Sequence, residues 1–328
     1  MQDAFGRRVD YLRISVTDRC NMRCHYCMPA EGLDYFERED VLSYEEIIAF
    51  VRHVAVPLGI SRLRLTGGEP LVRRDLHQLA GQLAALPGIT DVALTTNGVL
   101  LAGQAEALRA AGVTRVNVSL DSLRPDRFRH ITRGADLARV WAGIAAAEQA
   151  GFSPLKLNCV VMRGFNEDEV AAFAALTLAH PWHVRFIEFM PVGDHALFEQ
   201  VGYVPTSEVL ATIREHHELV PLAAPEVAGN GPARYWRVPG ATGTIGVISQ
   251  MSHDFCDACN RVRLTSDGKL RHCLLSDHEL DVRALLRGGV SAAEIRASVV
   301  ADLQRKRERH QGAAGIALHL RSMSQIGG

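Results

Sequence analysis

Arg62-Leu63-Arg64-Leu65-Thr66-Gly67-Gly68-Glu69-Pro70 decides how the rest of the chain folds. Its first five residues alternate polar and apolar, as a strand does, and two glycines and a proline then end it. A helical pattern follows over 73–86 until Pro87-Gly88 stops it. Strand, turn and helix make half of a parallel βαβ unit. The rhythm recurs in both directions. Upstream, Tyr11 to Val16 reads as a strand, and Ser43 with Glu46 forms a capping box for a helix over 43–58. Downstream, strands over 91–95, 115–120, 155–161 and 183–189 alternate with helices over 101–111, after Pro125, over 137–150 and beyond Asn166. Asn166 is placed to cap that last helix, with Glu169 three positions on. Six units spaced ~30 residues apart predict right-handed parallel crossovers, hence an open sheet or a barrel short of the eight units of a complete one.

Past residue 200 the pattern changes. A helix over 207–217 leads into a Pro/Ala/Gly-rich link over 221–232. Hairpins are expected around Pro239-Gly240 and Asp267-Gly268. Ser291 and Glu294 make a capping box for a helix ending near Arg307, whose basic run Arg305 to Arg309 is expected to be its solvated end. A boundary is placed near 220, giving units 1–220 and 221–328. The 328 residues carry a net charge of −1, so no overall field draws the chain to nucleic acid or an anionic membrane. Without an 18-residue apolar run or a signal pattern over 1–10, the chain is expected to be cytoplasmic and to have no membrane partner.

The cysteines fall at 20, 24, 27, 159, 256, 259 and 273: two triplets and a singleton. That is poor disulfide arithmetic and good metal arithmetic. Cys159 lies in the apolar run 157–161 and is read as a buried strand residue. Cys20, Cys24 and Cys27 offer soft thiolates suited to iron–sulfur clusters or zinc. On a four-iron cube, three thiolates leave one iron open to a non-protein ligand. Cys256, Cys259 and Cys273 allow two readings by spacing: a Cys3His zinc site using His272 or His253, or a second cluster with an open iron. The run Asn260-Arg261-Val262-Arg263-Leu264-Thr265 puts two arginines on one strand face directly after a ligand, which favours the cluster.

The first triplet, with Tyr26 before its third cysteine, resembles that of the radical S-adenosylmethionine (SAM) superfamily. The resemblance implies a [4Fe–4S] cluster on Cys20, Cys24 and Cys27, with SAM chelating the open iron. It also implies an α/β fold: a partial (β/α)6 TIM-like barrel with a C-terminal α+β extension covering the open side. Tyr26, Gly67, Gly68, Glu69, Ser119 and Met190 are then the SAM contacts. Taken alone, Gly67 to Pro70 could be only a turn, and Thr95 to Gly98 and Ser119 to Asp121 only cap chemistry. Their shared position at strand ends points to a pocket.

The two triplets together, the Asn260 to Thr265 run and the Gly327-Gly328 terminus resemble the GTP 3′,8-cyclases of molybdenum cofactor biosynthesis. That resemblance implies a second [4Fe–4S] cluster on Cys256, Cys259 and Cys273, holding the purine. It assigns Arg13, Arg64, Thr95, Lys156, Arg261, Val262 and Arg263 to GTP, and catalytic roles to Arg13, Arg261, Arg263, Gly327 and Gly328. It further implies an external electron donor and a functional link to the cyclic pyranopterin monophosphate synthase; a homodimer is compatible with it. The chemistry implied is reductive SAM cleavage, hydrogen removal from C3′ of GTP, and attack of the sugar on C8. The chain departs from the family's common Lys-Pro at Lys306-Arg307, which bears on the local path of the tail.

Overall fold

A computed structural model describes residues 1–192, 195–223, 231–310 and 321–327. Six strands form in chain order: β1 Tyr11–Ser15, β2 Arg62–Thr66, β3 Asp91–Thr96, β4 Arg115–Ser119, β5 Lys156–Val161 and β6 His183–Glu188. Helices α1 Tyr44–Phe50, α2 Leu76–Ala84, α3 Ala105–Ala110, α4 Pro125–Ile131, α5 Leu137–Gln149 and α6 Val170–Ala179 connect them. After these come α7 His195–Val201, α8 Thr206–Arg214, the strands β7 Val220–Leu222, β8 Arg234–Arg237, β9 Thr244–Ile248, β10 Arg261–Leu264, β11 Lys269–Arg271 and β12 Leu280–Asp281, and the helices α9 Val282–Arg287 and α10 Ala292–Leu303. No helix among the described residues is long and apolar enough to cross a membrane.

All twelve strands join one open sheet, ordered β12-β11-β10-β1-β2-β3-β4-β5-β6-β9-β8-β7. Strands β1 to β6 run parallel in sequence order, the partial barrel expected. The later strands extend it. β10 pairs with β1 and β9 with β6, both parallel, so the extension lengthens both edges of the barrel wall. Both expected hairpins form, as the antiparallel pairs β8–β9 and β10–β11.

Parallel strands covered on both faces are usually apolar throughout, so the alternation here carries information. Leu12, Leu63, Val92, Val116, Leu157, Val184 and Val262 take the outward parity and lie in the apolar core cluster. The inward parity is polar. In register across the wall stand Arg263, Arg13 and Arg64, and then Thr95, Asn117, Lys156 and His183. The barrel therefore has an oily outside and a cationic lumen.

Three expectations need correction. Asn166 holds the N-cap position of a short 3-10 turn, Glu167–Glu169, but its side chain makes no capping bond there. Its Oδ1 accepts from Met162 N, and its Nδ2 donates to the carbonyls of Asp121 and Val160, so it ties the end of β5 to the loop after β4. Glu169 likewise accepts from Ser122 Oγ and Leu123 N rather than closing a capping box. The last helix stops at Leu303, and the basic run beyond it is not uniformly solvated: Lys306 is buried. The capping boxes at Ser43–Glu46 and Ser291–Glu294 form as expected.

Candidate active site

Both cysteine triplets open onto one cavity of about 310 Å³ at the C-terminal ends of the strands. Cys20, Cys24 and Cys27 line one side, Cys256, Cys259 and Cys273 another, and Arg13, Arg64, Arg185, Arg261 and Arg263 lie between them. All six cysteines are free.

The first triplet is presented by the loop after β1, and the glycine turn after β2 braces that loop. Gly68 N donates to the Thr17 carbonyl at 2.7 Å and Glu69 N to the Arg19 carbonyl at 2.9 Å. A Cβ at Gly67 would sit 2.5 Å from the Thr17 oxygen, and one at Gly68 2.5 Å from the Arg19 oxygen. These glycines admit close approach, as expected, but the backbone they admit is that of the cysteine loop. Glu69 lines the cavity together with both glycines, and its carboxylate also bonds within the protein. One carboxylate oxygen accepts from Leu71 N and Thr96 Oγ1, the other from Asn97 N. Burial pushes its pKa up to about 7 despite those bonds. Asn97 also donates to Asn21 Oδ1 at 2.7 Å, so the segment after β3 grips the same loop.

Tyr26 donates its hydroxyl to Asp121 Oδ2 at 2.7 Å, and Val160 N donates to Oδ1 at 2.9 Å. Burial lifts the Asp121 pKa to about 6. Ser119, Asp121 and Met190 line the cavity with Tyr26. Burial, with Glu69 adding to it, raises the Cys20 thiol to about 11, and burial, with Cys20 adding to it, raises Cys27 to about 12. Three sulfurs on one loop that burial keeps protonated suit a soft metal centre, which supplies the charge that ionises them. The donor set fits an iron–sulfur cluster.

At the second triplet, burial also raises Cys256, to about 11. Cys259 behaves oppositely: burial works against its thiolate, but Lys306 and Arg261 outweigh it and hold the pKa below the usual thiol range. Lys306 Nζ lies 3.2 Å from Cys259 Sγ. His272 lines the cavity, but His253 is not among the lining residues. His272 faces Asp302, at 3.7 Å, rather than completing a tight four-ligand set.

The lumen between the triplets is a concentrated positive site. Burial and neighbouring Arg263 press Arg13 well below its usual pKa, and burial with Arg261 lowers Arg263 to about 10. Lys156, buried deeper and outside the cavity lining, falls to about 6 through burial and then Arg185, Arg115 and Arg64. The Nε atoms of Arg185 and Arg261 and the Oδ1 atoms of Asn117 and Asn158 are buried without hydrogen-bond partners among the described residues. Buried cations without matching carboxylates are costly unless an anionic ligand completes them.

Of the residues assigned to substrate, Arg13, Arg64, Thr95, Arg261 and Arg263 line the cavity. Val262 does not: its side chain has the opposite parity and lies in the apolar core, so no side-chain contact with substrate is available to it. Gly327 does enter the barrel. Its carbonyl accepts from Arg263 Nη1 at 2.8 Å, and a Cβ there would come within 3.1 Å of Ser15 and 3.2 Å of Thr66. Met323 and Ser324 of the same tail line the cavity, while Gly328 lies outside the described residues. Arg185, Asn117 and Asn158 went unnoticed in the sequence, and Lys306 was read only as part of a basic run and of a departure in the tail. The first three share the inward parity of Arg64 and Lys156, a signal that counting along β4, β5 and β6 would have found.

Residues 14–177 match the family described as the radical SAM superfamily, and residues 182–312 match molybdenum cofactor synthesis C. Among solved structures, Streptococcus suis SuiB bound to S-adenosylmethionine aligns with a TM-score of 0.61 at 12% identity, over 88% of this chain and 68% of that one. Native anSMEcpe with bound AdoMet aligns at 0.58 and 15% identity, over 97% of this chain and 88% of that one. These two show the fold. A GTP 3′,8-cyclase from Pelotomaculum thermopropionicum is 51% identical over 329 residues, spanning 100% of both chains. Another from Gloeobacter violaceus is 52% identical over 98% of this chain and 99% of its own. With both halves matched in order and relatives this similar from end to end, the chain belongs to the GTP 3′,8-cyclase family of radical SAM enzymes.

Proposed function

We propose that the chain converts GTP to 3′,8-cyclo-7,8-dihydro-GTP, the first step of molybdenum cofactor biosynthesis, inside the single cavity that both cysteine triplets line. That shared cavity, with a cationic lumen between the sulfurs, is the observation that carries the proposal. Cys20, Cys24 and Cys27 would hold one [4Fe–4S] cluster, and Cys256, Cys259 and Cys273 a second. With SAM and an external electron donor bound, that first cluster would supply one-electron reductive cleavage of SAM, and hence radical chemistry at C3′ of GTP.

The protein's own part is placement. Tyr26, Ser119 and Met190 form the wall against which SAM would lie, with Gly67, Gly68 and Glu69 holding the cysteine loop in position. A nucleoside triphosphate carries about four negative charges, and the forks of Arg13, Arg64, Arg261 and Arg263 are suited to its oxygens. The unsatisfied Arg185 Nε, Asn117 Oδ1 and Asn158 Oδ1 add one donor and two acceptors for the ligand's polar edges. Such placement would bring C3′ towards the radical source and limit the access of water and stray hydrogen donors. Lys156, largely neutral near pH 7, would gain a proton as the anion binds. The Gly327 amide, fixed by Arg263, brings backbone without a side chain into the lumen. We further assign the product to the cyclic pyranopterin monophosphate synthase as its consumer.

Anaerobic iron and sulfide analysis, with SAM cleavage and cyclisation measured in parallel, tests this. About eight irons per chain are expected, falling to about four when Cys256 and Cys259 become Ser, with cyclisation lost and reductive SAM cleavage kept. Four irons plus zinc in the unaltered chain would reject the second cluster.

A further inference from the structure

Lys306 lies in the segment that follows α10, where exposure is the ordinary fate of a lysine. It is instead only 4% exposed. Its Nζ donates to Cys259 Sγ at 3.2 Å and to the Arg261 carbonyl at 3.0 Å. The segment is braced from the N-terminal arm. Arg7, itself paired with Asp3, donates to the carbonyls of Cys256 at 2.8 Å, Glu308 at 2.7 Å and Arg307 at 2.8 Å. One arginine thus locks the second cysteine loop and the lysine-bearing strand of chain to each other. The cation is delivered to one sulfur by a built scaffold.

A buried ammonium is expensive without a negative partner, and here the nearest candidate is a thiolate. Charge-assisted hydrogen bonds to ligand sulfur orient the ligand and draw electron density from the metal, which favours the reduced form of a cluster. We propose that Lys306 is a positioning residue for the second iron–sulfur site, holding Cys259 Sγ in ligating orientation and stabilising the added negative charge when that cluster is reduced. The role rests on the two-cluster reading above.

The test is a redox titration of the reconstituted enzyme followed by electron paramagnetic resonance. It is repeated with Cys20, Cys24 and Cys27 replaced by Ala, so that only second-site iron contributes. Lys306→Met keeps the length of the side chain and removes the charge; Lys306→Arg keeps the charge. Lys306→Met is expected to disfavour the reduced cluster about tenfold, ~59 mV for a one-electron couple, with Lys306→Arg close to the parent. Loss of second-site iron in Lys306→Met but not in Lys306→Arg supports the same role through ligand orientation. Full iron content with an unmoved potential in Lys306→Met overturns it, as does equal loss of iron in both variants. Zinc, or no iron, at the second site of the parent protein would overturn the two-cluster reading itself and this role with it.

Discussion

Lys156 shows how far the lumen is built around a missing negative charge. Arg185, Arg115 and Arg64 surround it, His183 is its register neighbour, and burial takes its pKa from 10.5 to about 6, with Asp91 acting the other way. Between those values the unfolded chain binds the proton that the folded chain lacks. The contribution of this one group to the stability of the ligand-free enzyme is therefore least favourable below pH 6 and rises as pH climbs through that window. A bound polyanion reverses the bias, so GTP binding near pH 7.5 should take up about one proton at this site. Calorimetry in buffers of different ionisation enthalpy measures that uptake, and Lys156→Met should remove it; unchanged uptake in the variant would contradict the assignment. Arg185 makes a second test. Losing a charged hydrogen bond costs roughly 1.5–3 kcal/mol, so Arg185→Leu should weaken GTP binding about 10- to 100-fold while leaving SAM affinity unchanged. Equal effects on both ligands would mean that Arg185 is structural. Arg13 and Arg64 share one parity on alternating strands, but it was the family resemblance, not that parity, that assigned them to substrate. Arg185 escaped because 183–189 was read only as the sixth strand of the rhythm, without counting its parity.

At the scale of elements, the cysteine loop depends on neighbours contributed by two other βα turns. Gly68→Ala places a methyl 2.5–2.6 Å from the Arg19 and Asp18 oxygens, so the loop must move. Iron at the first site should fall sharply while second-site iron persists, with a stability loss of about 1–3 kcal/mol. Iron analysis with thermal melting checks both, and normal first-site iron would show that the loop tolerates the shift. The helix starts were readable where capping was local, as at Ser43 and Ser291. Asn166 misled because its amide serves a contact 45 residues back, at Asp121, and no local pattern encodes that. Lys306 misled for the same reason: its place in a basic run says surface, and only the fold of the tail brings it to Cys259.

Over the whole molecule, the six-unit rhythm and the two cysteine triplets carried most of the fold and the two ends of the site. What they could not carry was the way the C-terminal region attaches, because β9 and β10 find their partners in strands 61 and 250 residues away. That attachment matters to the chemistry, since the loop entering β10 brings Cys256 and Cys259, and β10 itself brings Arg261 and Arg263, to the cavity mouth. The tail then returns through the Arg321 clamp on Asp267, 2.9 Å at each oxygen, and sets Gly327 against Arg263. Removing residues 327 and 328 should leave both clusters and SAM cleavage intact and abolish cyclisation; unchanged turnover would take the tail out of the mechanism. The most direct measurement of a shared cavity is the deuterium content of 5′-deoxyadenosine formed with GTP deuterated at C3′. The intact enzyme should transfer that deuterium, and the variant with Cys256 and Cys259 replaced by Ser should cleave SAM without transferring it. Transfer that survives loss of the second triplet, or fails in the intact enzyme, would contradict a substrate held between the two sets of sulfurs.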